Sequence, residues 1–183
     1  MSTIAATAGT SPTGTSIDQI SQSMKTGRNV TIEITNHSQK YILANPKAHT
    51  TSGYCFHPPQ PTIAKNTTAV CAFSKTARVA RGAVGVLTYQ MLRDEKCFVA
   101  ELAIMFSVPF DYNWYENWFA LGIYKQEIPC DEALFSKMYY DTGPFTRCKS
   151  TGSTLTYSGR GVLVKATMSA GGRSVMKIEF WDE

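Results

Sequence analysis

The stretch Asn29-Val-Thr-Ile-Glu-Ile-Thr-Asn36 alternates apolar Val30, Ile32 and Ile34 with polar Thr31, Glu33 and Thr35. A period of two places the aliphatic side chains on one face of an extended segment and the polar ones on the other, which is a half-buried β-strand. Outward from it, strand signals recur at Tyr41–Ala44, Ala69–Phe73, Val84–Leu92, Phe98–Val108, Phe119–Tyr124, Gly161–Met168 and Ser174–Trp181. Turn-forming clusters separate them at Thr50–Gly53, Pro58–Pro61, Arg93–Lys96, Thr151–Gly152 and Gly171–Gly172. Two segments break the pattern. Ser16 and Gln19 form a capping box ahead of Ile17, Ile20 and Met24, and Gly27 supplies a stop, so an amphipathic helix of about three turns is expected over 16–27. Glu132–Tyr140 follows Pro129 and has Asp131 as its cap. Many strands and two helices predict a mainly β fold, a compact β-sandwich flanked by two short α-helices. Residues 1–15, rich in Thr, Ser, Ala and Gly with Pro12, read as a flexible N-terminal segment, and 16–183 as a single domain.

The chain has 183 residues, 43% hydrophobic and 17% charged, enough apolar surface for one packed core and too much for a disordered chain. A net charge of +4 is only mildly basic, which argues against a dense nucleic-acid-tracking surface. Lys75, Arg78, Arg81 and Arg93 form a modest cluster, read as a solvated strand edge. The five cysteines include no CxxC pair and read as buried free thiols rather than metal ligands, so neither metal nor cofactor is expected. His37, His49 and His57 belong to no HExxH pattern, and neither GxSxG nor a phosphate-binding glycine loop occurs, so the chain is read as no enzyme. Residues 1–16 are uncharged and show no secretory leader, and no apolar run is long enough to span a bilayer. The expectation is a soluble protein without a signal peptide, cytoplasmic or released.

Residues 106–119 read Phe-Ser-Val-Pro-Phe-Asp-Tyr-Asn-Trp-Tyr-Glu-Asn-Trp-Phe, seven aromatics in fourteen positions out of 21 in the whole chain. Pro109, Asp111, Asn113, Glu116 and Asn117 are mostly loop formers, and a loop lies at the surface because buried irregular backbone leaves polar groups unpaired. Trp114 and Trp118 are therefore expected in an exposed binding patch, and Phe106 and Phe110 in the core. Such rings suit a membrane–water interface or a quaternary-ammonium cage. Base stacking would need a basic groove, and the segment holds Asp111 and Glu116 but no Lys or Arg. On the second helix Phe135 and Tyr139 share a face with Tyr140 beside them, while Leu134 and Met138 read as core.

Taken together, Gly82-Ala-Val-Gly-Val-Leu87 with Tyr89, Phe106-Ser-Val-Pro109, Asp111-Tyr-Asn-Trp-Tyr115, Asn117-Trp118, Ile123-Tyr-Lys125, Tyr139-Tyr140 and Pro144-Phe145 resemble the actinoporins, pore-forming cytolysins of sea anemones, over roughly Arg28 to Trp181. The resemblance implies a β-sandwich with two helices that binds phosphocholine headgroups, preferentially in sphingomyelin membranes. It also implies a monomer or small oligomer in solution and a homo-oligomer on the target membrane, where N-terminal helices line a cation-permeable pore. Carried across by position, it implies a phosphocholine pocket of Ser52, Val84, Ser107, Pro109, Tyr115, Phe135, Tyr139 and Tyr140. Trp114, Trp118 and Phe119 would be interfacial anchors, and Arg28 would meet a lipid phosphate near the helix exit. Nucleic acid is not an implied partner.

The chain departs from the family in places. Phe135 stands where the pattern has Tyr, Glu116 replaces a small polar residue in the anchoring loop, and Gln126–Asp131 lacks the usual basic residues. Thr146-Arg147-Cys148 replaces an Arg-Gly-Asp motif. The N-terminal helix is short for a bilayer of ~30 Å. The alternative reading is a lectin-like or lipid-headgroup recognition module without pore-forming activity.

Overall fold

The computed structural model describes residues 16–183. The expected flexible segment 1–15 lies outside them. Twelve strands and two helices follow in the order α1 (Ile17–Ser23), β1 (Asn29–Asn36), β2 (Tyr41–Ser52), β3 (Tyr54–His57), β4 (Thr62–Ile63), β5 (Thr67–Ser74), β6 (Ala83–Arg93), β7 (Cys97–Val108), β8 (Trp118–Tyr124), α2 (Glu132–Tyr140), β9 (Phe145–Lys149), β10 (Leu155–Gly159), β11 (Val162–Met168) and β12 (Arg173–Asp182). One six-stranded sheet runs β10-β11-β12-β1-β5-β3 and the other β4-β2-β6-β7-β8-β9. Neighbours are antiparallel except β1 and β12, which pair in parallel from Asn29 opposite Arg173 to Asn36 opposite Phe180.

Alternation builds the core between the sheets. Val30, Ile32 and Ile34 of β1 meet Leu87 and Tyr89 of β6 and Leu102, Ile104 and Phe106 of β7 in one cluster, with Phe73 and Phe106 ring centroids 4.6 Å apart. The opposite faces of the sheets are where the helices lie. Ile17, Ile20 and Met24 pack on Val70, Ala72 and Val175 of the first sheet. This footprint covers Thr31, whose register partners are Ala72 and Val175, so β1 is buried on both faces there rather than half-buried. Leu134, Phe135 and Met138 of α2 pack on Val86, Ala103, Met105 and Ala120 of the second sheet.

The eight strands expected from alternation are present, seven with small changes of bounds, while β2 runs on from Ala44 to Ser52 through a bulge and takes in most of the turn expected at Thr50–Gly53; α2 has the expected bounds. The four strands that were not expected, β3, β4, β9 and β10, are the four sheet edges. An edge strand pairs on one side only and carries polar residues that discourage further pairing, which dilutes the periodic signal. The first helix is shorter than expected. Its capping box is present, with Ser16 Oγ accepting from Gln19 N–H, but Met24 turns extended and the helix ends at Ser23 rather than near Gly27. The next carbonyls are claimed by other groups, since Arg173 donates to Met24 O and Thr26 O, and Asn29 Nδ2 donates to Thr26 O. The cysteines also differ from expectation: all five are free, yet only Cys71 is buried, while Cys55 and Cys97 are exposed.

Because α1 touches the sandwich through so few side chains, each matters. Met24→Ala is expected to speed amide exchange across Ile17–Ser23 by about tenfold or more while the sandwich keeps its protection, since truncating a buried Met removes on the order of 2–5 kcal/mol of packing. Hydrogen-exchange mass spectrometry checks this.

Candidate functional site

Register brings the site together. Ser52 of β2 pairs with Val84 of β6, which pairs with Ser107 of β7, so the three form a row across one end of the second sheet. The row is walled by Pro109 and Tyr115 from the β7–β8 connection and by Phe135, Tyr139 and Tyr140 from α2. All eight residues of the expected pocket line a single cavity of about 610 Å³. Thr51, Ala80, Arg81, Gly82, Phe110 and Asp111 complete its lining, and none of these was read from the sequence as a site residue. Phe110 was expected in the core but stands 43% exposed at the rim, its carbonyl held by Arg28 and its ring within 5.7 Å of the Arg28 guanidinium carbon and 5.4 Å of Lys75 Nζ.

The aromatic wall has defined geometry. Ring centroids of Phe135 and Tyr139 lie 5.5 Å apart, Tyr139 and Tyr140 meet edge-on at 4.7 Å, and Trp118 reaches Tyr139 at 6.4 Å. Burial, reinforced by Tyr140 and Tyr115 and opposed by Arg147, pushes the Tyr139 phenol above its ordinary range. It therefore stays neutral at physiological pH and can donate. The helix carrying these rings is pinned at both ends. Asp131 Oδ1 accepts from Leu134 N–H, and Arg147 Nη1 donates to the carbonyls of Met138 and Asp141. Glu132 Oε2 accepts from Thr51 Oγ1 at 2.7 Å and meets His49 Nε2 at 2.8 Å, which ties α2 to β2 beside the cavity.

The β7–β8 loop is held by polar contacts. Asp111 Oδ1 accepts from Asn113 N–H, and Asp111 O accepts from Tyr115 N–H at 3.1 Å. Buried Asn117 accepts from Tyr112 Oη at 2.7 Å and donates to Ser169 O and Gly171 O. Trp114 is left 81% exposed at the tip. Half-buried Trp118 lines a second hollow of about 240 Å³ with Trp114, Tyr115, Glu116 and Lys149. Glu116, the carboxylate that sets this loop apart from the family pattern, lies 3.4 Å from Lys149 Nζ and so does not present an unbalanced negative charge.

Two expected roles are corrected. Phe119 is not a surface anchor: in register with Phe106, it points into the sandwich core and is fully buried. Arg28 is not a free cation at the helix exit. Its Nε and Nη2 donate to Phe110 O at 3.0 and 2.8 Å, its Nη1 donates to Gly27 O at 2.8 Å, and its guanidinium carbon lies 4.6 Å from the Tyr112 ring centre. The basic cluster also divides. Arg93 sits at the far end of β6 from Arg81, roughly 35 Å along an extended strand. The histidines occupy separate surroundings: His37 stacks on Trp181 at 3.9 Å, His49 faces Glu132, and His57 Nε2 is buried without a partner among the described residues.

The family model of the sea anemone cytotoxic protein matches residues 5–181. The chain belongs to that family, the actinoporins. DELTA-actitoxin-Aeq1a of Actinia equina is 37% identical over 100 residues, covering 55% of this chain and 44% of the relative. DELTA-alicitoxin-Pse1b of Phyllodiscus semoni is 48% identical over 66 residues, covering 36% of this chain and 27% of the relative. The matched stretch thus spans less than half the length of these curated relatives. Among solved structures, the lipid-binding protein Nakanori superposes with a TM-score of 0.68 at 12% identity, covering 90% of this chain and 75% of that one, a likeness of fold.

The placements of Phe119 and Trp114 in this actinoporin make opposite predictions. Phe119→Ala is expected to lower unfolding stability by about 3–5 kcal/mol through loss of a core ring. Trp114→Ala, at an exposed tip, is expected to move it by less than about 0.5 kcal/mol. Urea denaturation of both variants checks the pair.

Proposed function

We propose that this actinoporin binds phosphocholine headgroups in the cavity, preferentially on sphingomyelin membranes, and assembles there into a cation-permeable pore that includes its N-terminal residues. One observation carries the reading: a single hollow gathers the hydroxyls of Ser52, Ser107 and Tyr140 with an aromatic wall of Tyr115, Phe135 and Tyr139. A trimethylammonium group seats against the faces of Tyr115, Phe135 and Tyr139, whose quadrupoles attract it without a full negative charge. Phe135 supplies the same ring face as a tyrosine but no hydroxyl, so donors to the phosphate come from Ser52 and Tyr140. Each cation–π contact contributes about 0.5–2 kcal/mol, so a free headgroup binds only at roughly millimolar concentration. Stable attachment then requires Trp114 and Trp118 in the interface, where an indole ring is favoured.

A second reading, headgroup or glycan recognition without a pore, is favoured by α1. It spans roughly 10 Å, about a third of a hydrocarbon core, and among the described residues no helix is long and apolar enough to cross a membrane. Pore formation requires that α1 leave its seat on Val70, Ala72 and Val175.

Sedimentation and dye leakage measured together on the same vesicles test both. Wild type is expected to sediment with sphingomyelin–phosphatidylcholine vesicles and not with phosphatidylglycerol alone. Trp114→Ala and Tyr139→Ala are each expected to weaken sedimentation by about tenfold, with leakage falling in step. Equal retention on choline-free vesicles would sink the headgroup reading, and binding without leakage would establish the second.

A further inference from the structure

A cavity that takes a zwitterion binds its anionic end more strongly when a positive group joins the hydroxyl donors there. Arg28, expected to meet a lipid phosphate near the helix exit, does not line the cavity and is committed to Phe110 O and Gly27 O. Lys149 faces Glu116, Arg147 caps the end of α2, and Lys75 Nζ lies 5.4 Å from the Phe110 ring centre without lining the cavity. Arg81 is the one cationic side chain in the lining, and among the described residues it makes no hydrogen bond or ion pair. Asp111, the one carboxylate there, has Oδ1 taken by Asn113 N–H.

The backbone explains why an arginine arrives at this place. A Cβ on Gly82 would stand 1.9 Å from Val108 O and 3.0 Å from Pro109 C, so the start of β6 is pressed against the end of β7. Gly53, at φ +88°, turns so closely that a Cβ there would lie 3.3 Å from Gly82 O. Ser52 and Arg81 each precede one of these two glycines, and the close approach of the glycines brings them to the same end of the hollow. The rings of Phe135, Tyr139 and Tyr140 come from α2, which Glu132 ties to Thr51 beside Ser52.

We propose that Arg81 is the anion-binding residue of the cavity, which holds the phosphate together with the hydroxyls of Ser52 and Tyr140 while the quaternary ammonium sits against the faces of Tyr115, Phe135 and Tyr139. The proposal rests on the headgroup reading above and adds a specificity to it. The site discriminates by the anion, favouring a phosphate-bearing choline over choline itself, because a guanidinium–phosphate contact is a charge-assisted and geometrically matched hydrogen bond.

Ligand-detected NMR titrations with phosphocholine and with choline chloride, on wild type, Arg81→Gln and Arg78→Gln, provide the test. Arg78 lies in the same exposed loop but outside the cavity, so its variant removes the same charge without removing the contact. Wild type is expected to prefer phosphocholine by about tenfold, Arg81→Gln to lose about that factor for phosphocholine alone, and Arg78→Gln to match wild type. Unchanged phosphocholine binding by Arg81→Gln overturns the assignment and leaves the headgroup reading intact. Equal losses in the two variants also overturn it, since they report the general field of the loop. Wild type binding neither compound removes the headgroup reading and this proposal together. Arg81 is exposed, so matching thermal unfolding curves confirm that folding is not the cause.

Discussion

A loop that displays indole and phenol rings to water cannot be held by burying those rings, so the β7–β8 connection depends on polar anchoring from beneath. Buried Asn117 provides most of it, tying Tyr112 to the carbonyls of Ser169 and Gly171 across to the other sheet. Arg28 provides the rest by gripping the Phe110 carbonyl while lying over Tyr112. Each carbonyl gains a donor, and no apolar surface has to be sacrificed to hold the backbone. Trp114 and Tyr115 are thereby left outside as free surface. The cavity inherits the same constraint, since Pro109, Phe110 and Asp111 form its rim.

The remaining walls are set by the two most regular parts of the fold. The β2–β6–β7 register fixes Ser52, Val84 and Ser107 as a row, and α2 is clamped at both ends by Glu132 and Arg147. A site built mainly on strand ends and a capped helix holds its side chains more tightly than one built on loops alone. The balance of charge follows a similar logic. Pairing Glu116 with Lys149 keeps the tip near neutrality, which suits a zwitterionic surface better than an anionic one.

Much of this was legible in the sequence, and the failures share physical causes. Interior strands are covered on both sides and must repeat their pattern, so all eight could be read, whereas the four edges carry polar residues with one paired side. Asp131 and Pro129 bounded α2 correctly, but the end of α1 was set by Arg173, about 150 residues away, which no local signal encodes. The eight expected pocket residues came together because family motifs mark positions even where the chain's own periodicity is silent. Phe119 was misplaced because an aromatic run does not reveal where loop ends and strand begins; one residue of alternation separates it from Trp118. Arg81 was grouped with Arg93 by composition, and only the path of β6 shows that they face different ends of the molecule.

The parallel pairing of β1 with β12 also bears on synthesis. Asn29 has to find Arg173, a sequence separation that makes the first sheet slow to assemble and dependent on a late part of the chain. While the ribosome still holds β12, β1 has β5 on one flank and nothing on the other. The seat of the first helix includes Val175 and is equally incomplete. A nascent polypeptide therefore cannot complete its first sheet, or the full seat of its first helix, part-way through translation.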